Sequence, residues 1–184
     1  KISIYNFIEG KFEFVQDLSL WNDDILLIEG IHALNPEVLK EIPSKNKFKI
    51  YLSALTGLNI DHHNRFSTTD NRLLRRIVRD SRTRGYTVED TLRIWGNVRL
   101  GEEKYIFPYQ DEADITINTA LIYELGVLKT YVEPLLYSVD EDSLLYDEAK
   151  RLLNLFRLIL PIPSEAIPTD SILREFIGGS CFHD

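Results

Sequence analysis

The 184-residue chain contains no methionine and a single cysteine, Cys181. One thiol excludes an internal disulfide and a thiolate metal cluster alike. With no initiator methionine, the chain reads as a segment of a longer or processed protein. No apolar run has the length needed to span a bilayer, and no basic, apolar and small-residue series resembles a signal peptide. The expected compartment is therefore the cytoplasm, with no membrane partner. Repeats and low-complexity tracts are absent as well. Lysine is missing between Lys49 and Lys104, although the same stretch holds nine arginines.

What is present is ordinary in bulk and uneven in detail. Hydrophobic residues make up 44% and charged residues 27% of the chain, as in soluble globular proteins. That length suffices to bury roughly 70% of the unfolded surface. The formal net charge is −8. Between Asn59 and Arg99, however, nine arginines face five acids, a local balance of +4 that leaves −12 for the remainder. Such asymmetry implies an anionic partner at the centre, while the acidic remainder argues against wrapping long nucleic acid.

Strand and helix patterns alternate along the chain. "KISIYNFIEGKFEFVQ" reads as a hairpin turning at Glu9-Gly10-Lys11. Ile25 to Ile28, apolar on both faces, reads as a strand buried in a parallel sheet. "FKIYLSAL" and "ADITINT" supply further strands, the latter in the core. Asp70 is placed as the cap of a helix running to Arg84 and stopped by Gly85. Helices are also expected over Val88 to Val98 (capped by Thr87), up to about Pro134, along "DEDSLLYDEAKRLLNLFRLI" with Leu144 on its apolar side, and in "TDSILREFIGG". The fold class is α/β.

Six of the twelve arginines lie between Arg72 and Arg84. On a wheel of about 100° per residue, Arg72, Arg75, Arg76, Arg79 and Arg82 share an arc of about 120°. Leu73, Leu74, Ile77 and Val78 take the opposite arc. Like charges at these spacings repel by roughly 0.2–0.5 kcal/mol per pair. Asp80 relieves Arg76 and Arg84, but nearby acids are too few to neutralise the row. Arginine's planar fork suits bidentate phosphate contacts, which favours an anion site over a merely solvated face.

"RLLRRIVRDSRTRG" resembles the lid of the uridine kinase and phosphoribulokinase family of P-loop kinases, whose lid carries R-x-x-R-R-x-x-R-D and then a further arginine and glycine. "IYNF" is similar to the family's Tyr-Asp-Phe motif, "LLIEGI" to its Walker-B-like strand, and "FPYQDEADI" to the entry of a late core strand. The four stretches follow the family order, and the resemblance covers residues 1–135, with the lid at about 70–107. Residues 136–184 are then a helical C-terminal extension. The resemblance implies a three-layer P-loop-kinase-like domain with a parallel core sheet, incomplete at its N-terminal side.

It also implies roles. Arg75, Arg79 and Arg84 would face the donor phosphates of ATP, with Arg79 and Arg84 neutralising charge in the transition state. Arg76 would reach toward the acceptor, and Tyr5, Asn6 and Phe7 would form the acceptor site. Glu29 would act near Mg²⁺. Four positions depart from the uridine-phosphorylating pattern: Asn6 for aspartate, Gly10 for histidine, Tyr86 for arginine and Ile94 for glutamine. "EGIH" resembles the phosphoribulokinase strand end, where His32 would lie near a sugar phosphate. The acceptor is thus a nucleoside, a sugar phosphate or another small alcohol.

A P-loop kinase needs G-x-x-x-x-G-K-[ST], and no such string occurs in the chain. In the family that loop and the catalytic aspartate precede the Tyr-Asp-Phe motif. The expectation is the C-terminal part of a kinase-like protein, inactive by itself. An Ile25–Ile28 strand without its P-loop neighbour would expose an apolar edge. Dimerisation, or pairing with the missing N-terminal part, is expected in consequence. A rival reading keeps the fold as a non-catalytic nucleotide- or RNA-binding module.

Overall fold

The computed structural model describes residues 2–6, 11–16, 19–59, 61–63 and 65–182, with backbone alone for 2–6 and 12–16. Two compact units result, residues 1–33 and 34–184.

In the first unit, β1 (Ile2–Asn6) and β2 (Lys11–Gln16) form the expected antiparallel hairpin, pairing Tyr5 with Phe12 and Asn6 with Lys11. Phe7 and the rest of the turn up to Gly10 lie outside the described residues. The expected strand at Ile25–Ile28 does not form; the backbone there is irregular and the side chains are exposed, Ile25 by 95% and Leu27 by 85%. A strand needs a paired neighbour for its backbone and a layer on each face. Among the described residues of this unit neither is supplied.

The second unit is built on a short parallel pair. β3 (Ile50–Ser53) lies beside β4 (Ile115–Asn118), Ile50 opposite Ile115 and Ser53 opposite Asn118. Parallel strands require a long crossover, and here two helices supply it, α1 (Thr68–Thr83) and α2 (Val88–Tyr105). Then come α3 (Glu124–Tyr137), α4 (Tyr146–Phe156) and the single turn α5 (Arg174–Ile177). The helices α2, α3 and α5 pack on α1, and α4 packs on α3.

The 3.6-residue period fixes what α1 buries: Leu73, Leu74, Ile77 and Val78 are all inside. They meet Leu125, Leu128, Val132 and Leu136 of α3, with Leu152 and Phe156 of α4 extending the same core. Gly126 is where the following chain crosses α3. A Cβ there would sit 2.8 Å from Ile162 and 2.9 Å from the Leu160 carbonyl, and the Ile162 N–H donates to the Gly126 carbonyl at 3.0 Å.

Several boundaries differ from expectation. Ser67, not Asp70, caps α1: its hydroxyl accepts from the Asp70 N–H at 2.9 Å and donates to the Asp70 carboxylate at 2.8 Å. Thr87 and Asp90 form a reciprocal capping box, as the Thr87 position suggested, but α2 runs on to Tyr105. Pro134 lies inside α3 rather than ending it, because in the last turn it forfeits only one ladder bond. Leu144 precedes α4 and is fully exposed. β4 is exposed along its length instead of buried, since β3 is its one partner among the described residues. No described helix is long and apolar enough to cross a membrane.

Candidate anion site at the strand ends

The carboxyl ends of β3 and β4 are tied together by Asn118. Its side-chain carbonyl accepts from the N–H groups of Leu55 and Ala120, each at 2.9 Å, and its amide donates to the Leu55 carbonyl at 3.0 Å. The Thr119 N–H donates to the Ser53 carbonyl at 2.8 Å. Such a fixed strand end is where open α/β sheets place ligands. The arginine face of α1 lies over it, and a cavity of about 260 Å³ remains between them. Its walls include Ser53 and Thr119 from the strand ends, Arg72, Arg75, Arg76 and Arg79 from α1, Trp95 from α2, and Ile172, Glu175 and Phe176 from the C-terminal segment.

The guanidinium groups are held by carboxylates from three directions. Arg75 is buried; it ion-pairs with buried Glu124 of α3 and donates to the Thr119 carbonyl at 3.2 Å. Asn71 donates to the same Glu124 and to the Thr56 hydroxyl, the latter at 2.9 Å. Arg72 pairs with Glu102 of α2, which also accepts from Arg99 at 3.0 Å. Asp80, with no exposed surface, lies 3.0 Å from Arg76, 3.3 Å from Arg79 and 3.1 Å from Arg84. Arg82 turns away to the C-terminal segment, donating to the carbonyls of Phe176 at 3.0 Å and Glu175 at 2.7 Å.

The row of free guanidinium groups expected from the wheel is therefore corrected. Counting only neighbours in sequence missed Glu102 and Glu124, which arrive from other helices. Glu124 carried a signal, being an acid that heads the apolar run Leu125–Leu128; a buried carboxylate needs a cation.

Of the residues singled out by sequence, Arg75, Arg76 and Arg79 come together on the cavity. Arg84 shares Asp80 with two of them but does not line it. Tyr5, Asn6, Glu29 and His32 belong to the first unit, where Glu29 and His32 are exposed and Tyr5 and Asn6 end β1. Phe7 falls outside the described residues.

A guanidinium has five N–H donors, so one carboxylate leaves several for a bound anion. The buried Nε–H groups of Arg72 and Arg75 have no hydrogen-bond partner among the described residues, whereas Arg76 Nε faces the Asp80 carboxylate at 3.0 Å. A phosphate chain fits this donor set. Among the described residues no group of three or more His, Cys, Asp and Glu could hold a metal ion, and Glu29 belongs to no such group.

The model of the phosphoribulokinase / uridine kinase family matches residues 1–123. The chain belongs to that family. Uridine kinases from two strains of Staphylococcus epidermidis are each 33% identical to it over 95 residues, covering 51% of this chain and 38% of theirs. The chain thus spans less than half the length of the curated relatives it matches. No solved structure matches it. Kinases of this family use a nucleotide as phosphoryl donor.

Proposed function

We propose that the chain is the lid-bearing portion of an ATP-dependent kinase that phosphorylates a nucleoside or similar small hydroxyl compound. The observation that carries this reading is the meeting of Arg75, Arg76 and Arg79 with the carboxyl ends of two parallel strands around one cavity. Arg75 and Arg79 are assigned to the donor phosphates, Arg76 to the side of the acceptor. Arg84 has the weaker claim, since it stands off the cavity.

Phosphoryl transfer is mostly positioning and charge stabilisation, and prepaired guanidinium groups supply both with little reorganisation. Tyr5, Asn6 and Phe7 are proposed as acceptor contacts, with His32 as the contact for a phosphorylated sugar. Glu29 is proposed as the carboxylate near Mg²⁺, an ion commonly held by one or two carboxylates together with substrate phosphates, and no step is assigned to the metal. The 184 residues contain no glycine-rich phosphate loop, so alone they are expected to turn over no substrate.

The test uses the natural full-length protein with ATP, Mg²⁺ and a panel of nucleosides and sugar phosphates. Turnover of one acceptor supports the proposal; no turnover together with no nucleotide binding contradicts it. The internal pairing of every cavity arginine favours a second reading, a nucleotide-binding module without catalysis. Nucleotide binding with no turnover on any acceptor would select it.

A further inference from the structure

The C-terminal segment lies beyond the residues matched by the family, yet it forms one wall of the arginine cavity. Its hold on the core is firm. Leu173, Phe176 and Ile177 are buried, and Arg82 caps the carbonyls of Glu175 and Phe176. Arg174 ties the turn from its other side, donating to the carbonyls of Ser164 at 2.8 Å and Gly178 at 3.3 Å. The Phe176 ring stacks with the Arg75 guanidinium, 5.1 Å from its centroid. Between these anchors one side chain stays exposed, Glu175, whose carboxylate lies 3.9 Å from Arg79 Nη1.

Charge makes that placement informative. The four cavity arginines share Asp80, Glu102 and Glu124 with Arg84 and Arg99, so guanidinium charge exceeds carboxylate charge in the cluster. Glu175 supplies the fourth negative charge. Arg79 is the arginine it reaches, and Arg79 otherwise shares Asp80 with Arg76 and Arg84.

We propose that Glu175 sets the anion affinity of this cavity by competing with bound phosphate for Arg79. The inference rests on the anion-binding reading above and adds a residue outside the family region. An incoming phosphate chain must displace the Glu175 carboxylate from Arg79, or accept its repulsion. Because the carboxylate is exposed, its neutralisation leaves the fold intact.

The experiment titrates inorganic tripolyphosphate into the 184-residue chain at low ionic strength, comparing wild type, Glu175→Gln and Asp142→Asn. Asp142 is an exposed acid outside the cavity walls and controls for net charge alone. Glu175→Gln is expected to bind about two- to five-fold tighter than Asp142→Asn, the range of an exposed ion pair. The gain should fade with added salt and vanish in an Arg79→Ala background. Wild-type binding with Glu175→Gln no tighter than Asp142→Asn overturns the inference and leaves the arginine site standing, as does a gain that survives Arg79→Ala. No binding by any of these chains overturns both.

Discussion

Arg75 of α1 and Glu124 of α3 form a buried ion pair at the carboxyl end of β4, where Arg75 also donates to the Thr119 carbonyl. The pair joins α1 to the strand end and to α3 at one point. Removing one partner leaves an uncompensated buried charge. Glu124→Ala is therefore expected to destabilise the chain by about 3–5 kcal/mol, read from urea unfolding midpoints. A loss under about 1 kcal/mol would show that water reaches the pair.

Asp80 and Arg84 offer an asymmetric comparison. The aspartate is fully buried beneath three arginines, whereas Arg84 is half exposed. Asp80→Ala should cost about 3–5 kcal/mol, and Arg84→Ala no more than about 1 kcal/mol. Equal losses in thermal unfolding would contradict the idea that Asp80 organises the group.

Those pairings also mark the limit of what the sequence disclosed. The apolar stripe of α1 was legible because Leu73, Leu74, Ile77 and Val78 repeat at the helical period, and the arginine-rich face followed from the same wheel. Glu102 and Glu124 lie 30 and 49 residues from their arginines, so a tally of local charge could not find them. The closing turn at "REFIGG" read as a short helix, but nothing in its pattern specified docking on Arg82 and Arg75. Ile25–Ile28 misled for the opposite reason: an apolar run states a preference for burial without supplying the partner.

That run has a consequence of its own. Ile25, Leu26, Leu27 and Ile28 are all exposed, with Trp21 nearby in sequence and exposed as well. Continuous apolar surface with unpaired backbone favours association. Sedimentation velocity should show concentration-dependent self-association of the 184-residue chain, reduced by Ile25→Lys with Leu27→Lys. A monodisperse monomer at all concentrations would contradict this.

The α2 capping box predicts a pH effect. The Thr87 hydroxyl, donating to Asp90, holds that carboxyl below its ordinary 3.8 in the folded chain, and Arg93 adds to the effect. A depressed folded value stabilises the chain above the unfolded pKa, and that contribution is lost as pH falls through the folded one. Thr87→Ala should cost about 1 kcal/mol at neutral pH. It should also return the Asp90 titration, followed by carboxyl NMR shifts, toward 3.8. An unchanged titration would mean that Arg93, not the cap, sets it.

Guanidinium groups gathered at the strand ends are proposed to bind a phosphate chain. Calorimetric titration of tripolyphosphate into wild type and the Arg76→Ala/Arg79→Ala double variant, at low and raised salt, tests it most directly. Wild type should bind saturably, with an affinity weakened by salt and at least about ten-fold lower in the variant, one factor of ten being about 1.4 kcal/mol. Equal affinity in the two proteins would contradict it.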